Sequence, residues 1–352
     1  MGEILKAIGV MSGTSLDGLD LAAVEFLLEE GKWNFNLTAA ETIPYTSDWE
    51  HKLQQAPFLS GEELTELNSN YGRLLGKEIK NFVTEKKISP DLIASHGHTV
   101  FHRPDKGYTL QIGNGADIAA ITNTLTISDF RIGDVALGGQ GAPLVPIGDK
   151  LLFSEYDYCL NLGGFANISF EKDKRRVAFD NCPVNFVLNH FAHKLGKPYD
   201  KDGDLGRKGI VNKELLEKLN NLSYYQDNNP KSLGREWVEQ EFFPILNKTD
   251  IPDIVKLRTL YEHIAIQIAR TTSGEGKMLV TGGGAFNKFL IERIENYTST
   301  KTVIPTKEIV EFKEAIIFAF IGVLRYKRIN NCLSSVTGAS KDSCGGIVFL
   351  PS

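Results

Sequence analysis

The sequence predicts an α/β protein built as two related lobes, and three observations carry that prediction. The chain has 352 residues, about two domains' worth at roughly 150 residues each. A pattern of short antiparallel strands followed by alternating helix and strand occurs twice. Glycine-rich turns stand at matching places in both repeats. Two such lobes bury a small ligand in the cleft between them.

In the first repeat, Ile4–Ser12 and residues 19–28 and 35–42 are apolar, β-branched runs joined by tight turns, with Asp17-Gly18 as a hairpin signal. Residues 61–87 carry Leu64, Leu67, Tyr71, Leu74, Leu75, Ile79 and Phe82 at helical spacing. Short strands at 91–95, 108–112 and 125–128 and a helix at 116–122 follow. The second repeat has strands at 158–162, 166–170 and 176–179, then a helix at 183–195 with Pro183 in its first turn, where a missing N–H costs least. After a polar region (196–230) come helices at 252–272, 287–296 and 313–326, with strands at 277–280 and 302–304. The first lobe is expected over residues 1–130 and the second over 131–334, with 335–352, including a strand at 346–350, returning to the first.

Composition narrows the function. Apolar residues at 42% and charged residues at 24% exclude a disordered, collagenous or coiled-coil chain. The longest apolar run, 315–324, is too short for a membrane span of about 20 residues. A net charge of −5 without a basic patch argues against nucleic acid as a partner. The start lacks a signal-peptide pattern, and Cys159, Cys182, Cys332 and Cys344 form no C-x-x-C pair, so a cytoplasmic protein with reduced thiols is expected.

Three turns have the chemistry to hold a nucleotide. Ser12-Gly13-Thr14-Ser15-Leu16-Asp17-Gly18 follows a strand, and its backbone N–H groups and the hydroxyls of Thr14 and Ser15 suit phosphates, with Asp17 or Asp20 available to a metal. Gly163-Gly164 is a second strand–turn–strand. Gly282-Gly283-Gly284, ending at Asn287, is a strand–loop–helix junction where backbone can approach a planar base. Any one alone reads best as an ordinary turn; the three together favour a nucleotide. No Walker A string occurs. Lys301 stands where a dinucleotide fold needs an acidic residue, which excludes a Rossmann dehydrogenase. Asp180 ends a strand just before Pro183. It suits a general base, and equally an N-cap of the helix.

The strings MSGTSLDGLD, GGQGAPLVP (138–146), KPYDKD (197–202), KSLGREW (231–237), TGGGAFN and SVTGAS (335–340) resemble the bacterial anhydro-N-acetylmuramic acid kinases, from Gly9 to the C-terminus. The resemblance implies a duplicated actin-like (ribonuclease H-like) sugar-kinase fold with a central cleft. It implies ATP and Mg²⁺ as cofactors and a kinase that opens 1,6-anhydro-N-acetylmuramic acid with water and phosphorylates O6 in cell-wall recycling. Asp180 matches the family's catalytic aspartate. Ser12–Gly18 and Gly163-Gly164 match its phosphate loops, and Gly282–Gly284 its adenosine loop. Arg131, Glu314, His98 and Asn185 are the residues expected at the sugar. Where the family usually has Thr-Gly-Pro-Gly-Asn, this chain has Asn181-Cys182-Pro183-Val184-Asn185, and His98 replaces a usual glutamine; both changes are expected near the sugar. Families of this kind are often dimers, which raises a homodimer.

Three other readings compete: a kinase of the same fold acting on a related anhydro sugar, a zinc hydrolase, and a non-catalytic sugar or nucleotide sensor. His96, His98 and His102 form an H-x-H-x-x-x-H that could seat zinc, but the remaining ligands such a hydrolase needs do not follow in the sequence. No resident metal cluster is therefore expected.

Overall fold

The computed structural model describes residues 3–13, 16, 18–226, 231–272 and 274–351. The chain divides into two compact units, one of residues 1–152 with 312–352, the other of residues 153–311.

In the first unit, β1 (Ile4–Ser12), β2 (Leu19–Glu29) and β3 (Lys32–Ile43) form an antiparallel meander. β4 (Leu92–Ser95) lies parallel to β1. The hairpin of β5 (His98–Arg103) and β6 (Tyr108–Ile112) stands outside this sheet, and β7 (Leu125–Ser128) runs parallel to β4. The C-terminal strand Ile347–Phe349 pairs antiparallel with β7. The helix Gly61–Lys86 starts on a capping box, in which the Ser60 hydroxyl accepts from the Glu63 N–H and the Glu63 carboxylate from the Ser60 N–H. Its buried face, with Tyr71, Leu75 and Ile79, packs in one cluster with Ile8, Leu21 and Ile93.

In the second unit, β8 (Tyr158–Leu162), β9 (Phe165–Lys172) and β10 (Arg175–Pro183) again form an antiparallel meander, and β11 (Lys277–Thr281) and β12 (Lys301–Val303) add on parallel to β8. The first sheet reads β3-β2-β1-β4-β7 before its extra strand, and the second β10-β9-β8-β11-β12. The same order with the same directions recurs in both units. The chain is thus a duplicated α/β protein of the ribonuclease H-like pattern that the resemblance implies.

The unit boundaries differ from the sequence reading at 130/131 and 334/335. The first unit runs on through Leu152 and regains the chain at Phe312, inside a helix that starts at Lys307, earlier than expected, and ends at Tyr326. Gly9 on β1 shows why the returning part belongs there: a Cβ at this position would lie 2.9 Å from the Ala319 nitrogen and closer still to the Ala315 carbonyl. Only hydrogen fits beneath the helix backbone. Beside it, Lys313 pairs with Asp149 at 2.7 Å, both buried.

Local corrections follow from packing. Pro183 is the last residue of β10, and the next helix is Asn185–Lys194. Residues 196–230 contain the helices Asp204–Lys208 and Lys213–Asn220. A helix at Ser47–Gln55, capped by Thr46, and the strand β5 were not legible as periodicity. Among the described residues, no helix is long and apolar enough to cross a membrane, and all four cysteines are thiols.

Candidate functional site

Asp180 lies within β10, beside a bulge where pairing with β9 shifts between Asp180 and Cys182. The helix that follows has Val184 at its N-cap, without a side-chain cap. Asp180 is therefore no helix cap. Its carboxylate is held by neutral donors: the Leu233 N–H at 2.7 Å on Oδ2 and the Asn167 side-chain amide on Oδ1. Its backbone is clamped as well, the N–H donating to Lys231 O at 3.0 Å and the carbonyl accepting from Tyr224 Oη at 2.6 Å. Burial raises the carboxyl above its ordinary range, and the two hydrogen bonds work the other way. A fixed, partly desolvated carboxylate suits proton abstraction. Asn167 and Leu233 sit inside motifs visible in the sequence, yet nothing there tied them to Asp180, 13 and 53 residues away.

The two glycine turns of the second unit converge. The carbonyls of Gly163 and Gly164 accept the N–H groups of Val184, Asn185 and Phe186, tying the β8–β9 turn to the start of the helix Asn185–Lys194. Gly282 has φ +79 and ψ 165, and a Cβ there would lie 2.6 Å from Asn161 Oδ1. At Gly284 a Cβ would lie 2.7 Å from that of Leu162, whereas Gly283 meets only Asn185 Nδ2, at 3.9 Å. Gly283 and Gly284 line a cavity of about 420 Å³ with Asn185, Asn189, Tyr199, Asp200, Tyr261, Phe286 and Asn287.

A polar network braces this cavity. Asp200 accepts from the N–H groups of Leu205 at 2.8 Å and Gly206 at 2.9 Å and from Tyr261 Oη at 2.9 Å. Asn287 donates to Tyr261 Oη at 2.8 Å and caps the helix Lys288–Glu295 through the Leu290 N–H. Tyr199 and Phe286 are exposed aromatics at the rim. The volume, the bare glycine backbone and the aromatic rim fit a nucleoside. Tyr199, Asp200, Tyr261 and Phe286 do not announce themselves in the sequence: Tyr261, within the helix Asp253–Thr271, reads as core, and the KPYDKD string is the available signal.

Asn185, expected at the sugar, stands in this cavity wall and donates to Leu162 O at 3.1 Å. The residues before it that depart from the family's usual string turn into the unit. Asn181 donates to Thr271 Oγ1 at 2.7 Å, and Cys182 and Val184 are fully buried. The altered segment is therefore packing and cavity wall.

In the first unit, Thr14, Ser15 and Asp17 of the opening loop lie outside the described residues. Gly13 accepts from the Leu16 N–H at 3.3 Å, Leu16 packs on the core and Gly18 is buried. The Ser12 hydroxyl turns inward: it accepts from Tyr45 Oη at 2.8 Å and lies 3.3 Å from His98 Nδ1. His98 is buried, and desolvation lowers its pKa, which favours a neutral ring.

Arg131 donates to His96 Nε2 from Nε at 3.0 Å and Nη2 at 2.8 Å, and to Gly141 O from Nη1 at 2.6 Å. Glu314 stays accessible to solvent, yet desolvation raises its carboxyl, with Lys313 and Arg131 pulling it down. Asp134, buried in the same unit, joins two motif strings, accepting from the Gly141 N–H at 2.7 Å and Thr337 Oγ1 at 2.7 Å. The histidine triplet does not fit zinc: His96 Nε2 faces a guanidinium, and the Nδ1 atoms of His96, His98 and His102 contact Gly97 O, Ser12 and Thr109. Among the described residues no group of three or more His, Cys, Asp or Glu is arranged for a metal ion.

A family model described as anhydro-N-acetylmuramic acid kinase matches residues 5–351. The anhydro-N-acetylmuramic acid kinase of Aliivibrio fischeri is 36% identical over 370 residues, covering 98% of this chain and 99% of that one. The enzyme of that name from Vibrio cholerae is 35% identical over 380 residues, covering 100% of both. Among solved structures, a ROK family glucokinase from Streptomyces griseus in complex with glucose and AMPPNP aligns at a TM-score of 0.41 and 10% identity, over 90% of this chain and 98% of that chain.

Proposed function

Because the chain belongs to the anhydro-N-acetylmuramic acid kinase family, we propose that it converts 1,6-anhydro-N-acetylmuramic acid, water and ATP to N-acetylmuramic acid 6-phosphate and ADP in cell-wall recycling. It is a phosphotransferase with an alcohol acceptor. Water oxygen bonds to the anomeric carbon as the bond from that carbon to O6 breaks. O6 then bonds to the γ-phosphorus as the bridge to ADP breaks. Asp180 takes the proton from water. Phosphoryl transfer asks of the protein chiefly positioning and charge stabilisation, and positioning is what the four hydrogen bonds around Asp180 supply.

ATP takes the 420 Å³ cavity with its adenosine, against Gly283 and Gly284. Asn185 belongs with the nucleotide, while Arg131, His98 and Glu314 serve the sugar. Asp17 or Asp20 is the carboxylate proposed for Mg²⁺; Asp20 is half-buried and accepts from Thr42 Oγ1 at 2.6 Å, a hard oxygen ligand of the kind Mg²⁺ takes. When bound, Mg²⁺ supplies charge neutralisation at the phosphates. The same reading places the protein in the cytoplasm with its substrates and proposes a homodimer, which sedimentation tests.

The observation that carries the mechanism is the Asp180 carboxylate, fixed by neutral donors and capping nothing. Asp180→Asn keeps the outline of the side chain and removes the base. Turnover should fall by at least about a hundredfold, since a general base contributes typically 10²–10⁴-fold, with ATP affinity little changed. In ¹⁸O water the label should appear on the anomeric oxygen and not in phosphate. An active Asn variant, or label in inorganic phosphate without sugar phosphate, defeats the proposal.

A further inference from the structure

His96 is buried, belongs to a motif the reaction has not used, and carries an unusual load. Its Nδ1 lies 2.9 Å from Gly97 O. A carbonyl only accepts, so Nδ1 bears the proton and Nε2 is the bare acceptor. That acceptor takes two N–H groups of Arg131, at 3.0 and 2.8 Å. Burial, reinforced by Arg131, holds the imidazole down to about 3, so the ring is neutral. Phe318 packs edge-on at 4.7 Å and fixes its plane.

The other hydrogen-bond partner of Arg131 is the Gly141 carbonyl, equally neutral. Among the described residues, no carboxylate hydrogen-bonds or ion-pairs with this guanidinium. Glu314 is close enough to influence it, and burial lowers its pKa to about 10. Buried arginines are ordinarily paired, because a desolvated charge without a partner is costly. Arg258 and Arg293, themselves partly buried, both pair with the buried Glu262. At Arg131 an acceptor with no charge stands where a carboxylate would neutralise the cation.

We infer that His96 is a positioning residue that aims Arg131 without neutralising it, leaving a guanidinium with no ion-paired carboxylate to receive an oxyanion of the reactants. The inference rests on the kinase reading above. The chemistry is an oxygen anion recognised by a guanidinium. Its source is the carboxylate of the muramic acid or a phosphate of the nucleotide.

Two substitutions separate charge from hydrogen bonding. His96→Gln keeps a neutral acceptor; His96→Glu keeps an acceptor and neutralises Arg131. KM and kcat are measured for ATP, for the carboxylate-bearing anhydro sugar and for its counterpart lacking the lactyl group, with calorimetry giving sugar affinity where turnover is slow. Gln should rescue most of the function. Glu should raise KM at least about tenfold, as closing the ion pair removes the free charge. If only the carboxylate-bearing sugar suffers, the anion is its carboxylate; if both sugars suffer equally and the ATP parameters shift, it is phosphate.

Equal kinetics for the Glu and Gln variants overturn the inference. Should the Glu variant fail to fold, Arg131→Gln carries the test: unchanged affinity for both sugars and for ATP also overturns it. Failure of the kinase reading looks different, because the unaltered protein would then form no ADP in response to the sugar.

Discussion

Gly282 and Gly283 are adjacent, yet substitution should break different things. At Gly282 the backbone sits at φ +79 and ψ 165, a region essentially reserved for glycine, where another residue costs on the order of 1–3 kcal/mol. An added Cβ would also press on Asn161 Oδ1 at 2.6 Å and the Leu162 carbonyl at 2.9 Å, and overpacking of this kind costs typically about 1–3 kcal/mol. Gly282→Ala should therefore destabilise by about 2–6 kcal/mol and lower the melting midpoint by about 5–15 °C. At Gly283 a Cβ meets only Asn185 Nδ2, at an ordinary 3.9 Å, so the fold tolerates a side chain that then occupies the cavity. Gly283→Leu should melt close to the unaltered protein yet bind ATP at least about tenfold more weakly, about 1.4 kcal/mol. Calorimetric titration with ATP and a thermal melt on both variants decide the matter. A folded Gly283→Leu protein with unchanged ATP affinity would refute the adenosine assignment, and a Gly282→Ala protein as stable as its parent would refute the backbone argument.

Asp200→Ala strands the Leu205 and Gly206 N–H groups and the Tyr261 hydroxyl; it should cost about 1–3 kcal/mol per buried group left unpaired and raise KM for ATP while leaving that for the sugar, which steady-state kinetics will show. His263 is buried and neutral, pushed down to about 3 by burial and then Arg270, with Nδ1 and Nε2 engaged by Asn220 and Tyr225. A histidine whose pKa is depressed on folding stabilises above its unfolded pKa of about 6.5 and loses that contribution as pH falls toward 3, at about 1.4 kcal/mol per pH unit. Denaturation midpoints at pH 7 and pH 5 should therefore differ less in a His263→Gln variant than in its parent, and equal differences would exclude this origin.

What the sequence made legible was whatever is local. The strands declared themselves through apolar, β-branched runs, and the helix at 61–86 through periodicity and its Ser60–Glu63 box. The glycine turns at 163–164 and 282–284 stood out as runs of glycine after strands, and at Gly282 and Gly284 a side chain does not fit. Polar segments with short helices stayed dark, as at Lys213–Asn220, which buries only Leu215 and Leu219. Two buried positions in eight residues leave little periodicity to see.

The roles of site residues depended instead on distant partners. Asp180 read equally as a base and as a cap, because both expect an aspartate ahead of a helix. The choice falls to the bulge at Asp180/Cys182, which prolongs β10 to Pro183 and turns the carboxylate to Leu233 rather than to the helix. The same holds for the histidine triplet. H-x-H at a strand end places two imidazoles together, which is all a sequence can state. Whether they hold metal depends on what faces Nε2, and at His96 that is an arginine 35 residues further along the chain. A guanidinium at 2.8–3.0 Å repels a metal dication from the same lone pair. The feature that suggested zinc in the sequence thus becomes, in the fold, the support of a cation, and the chemistry of the motif changes sign.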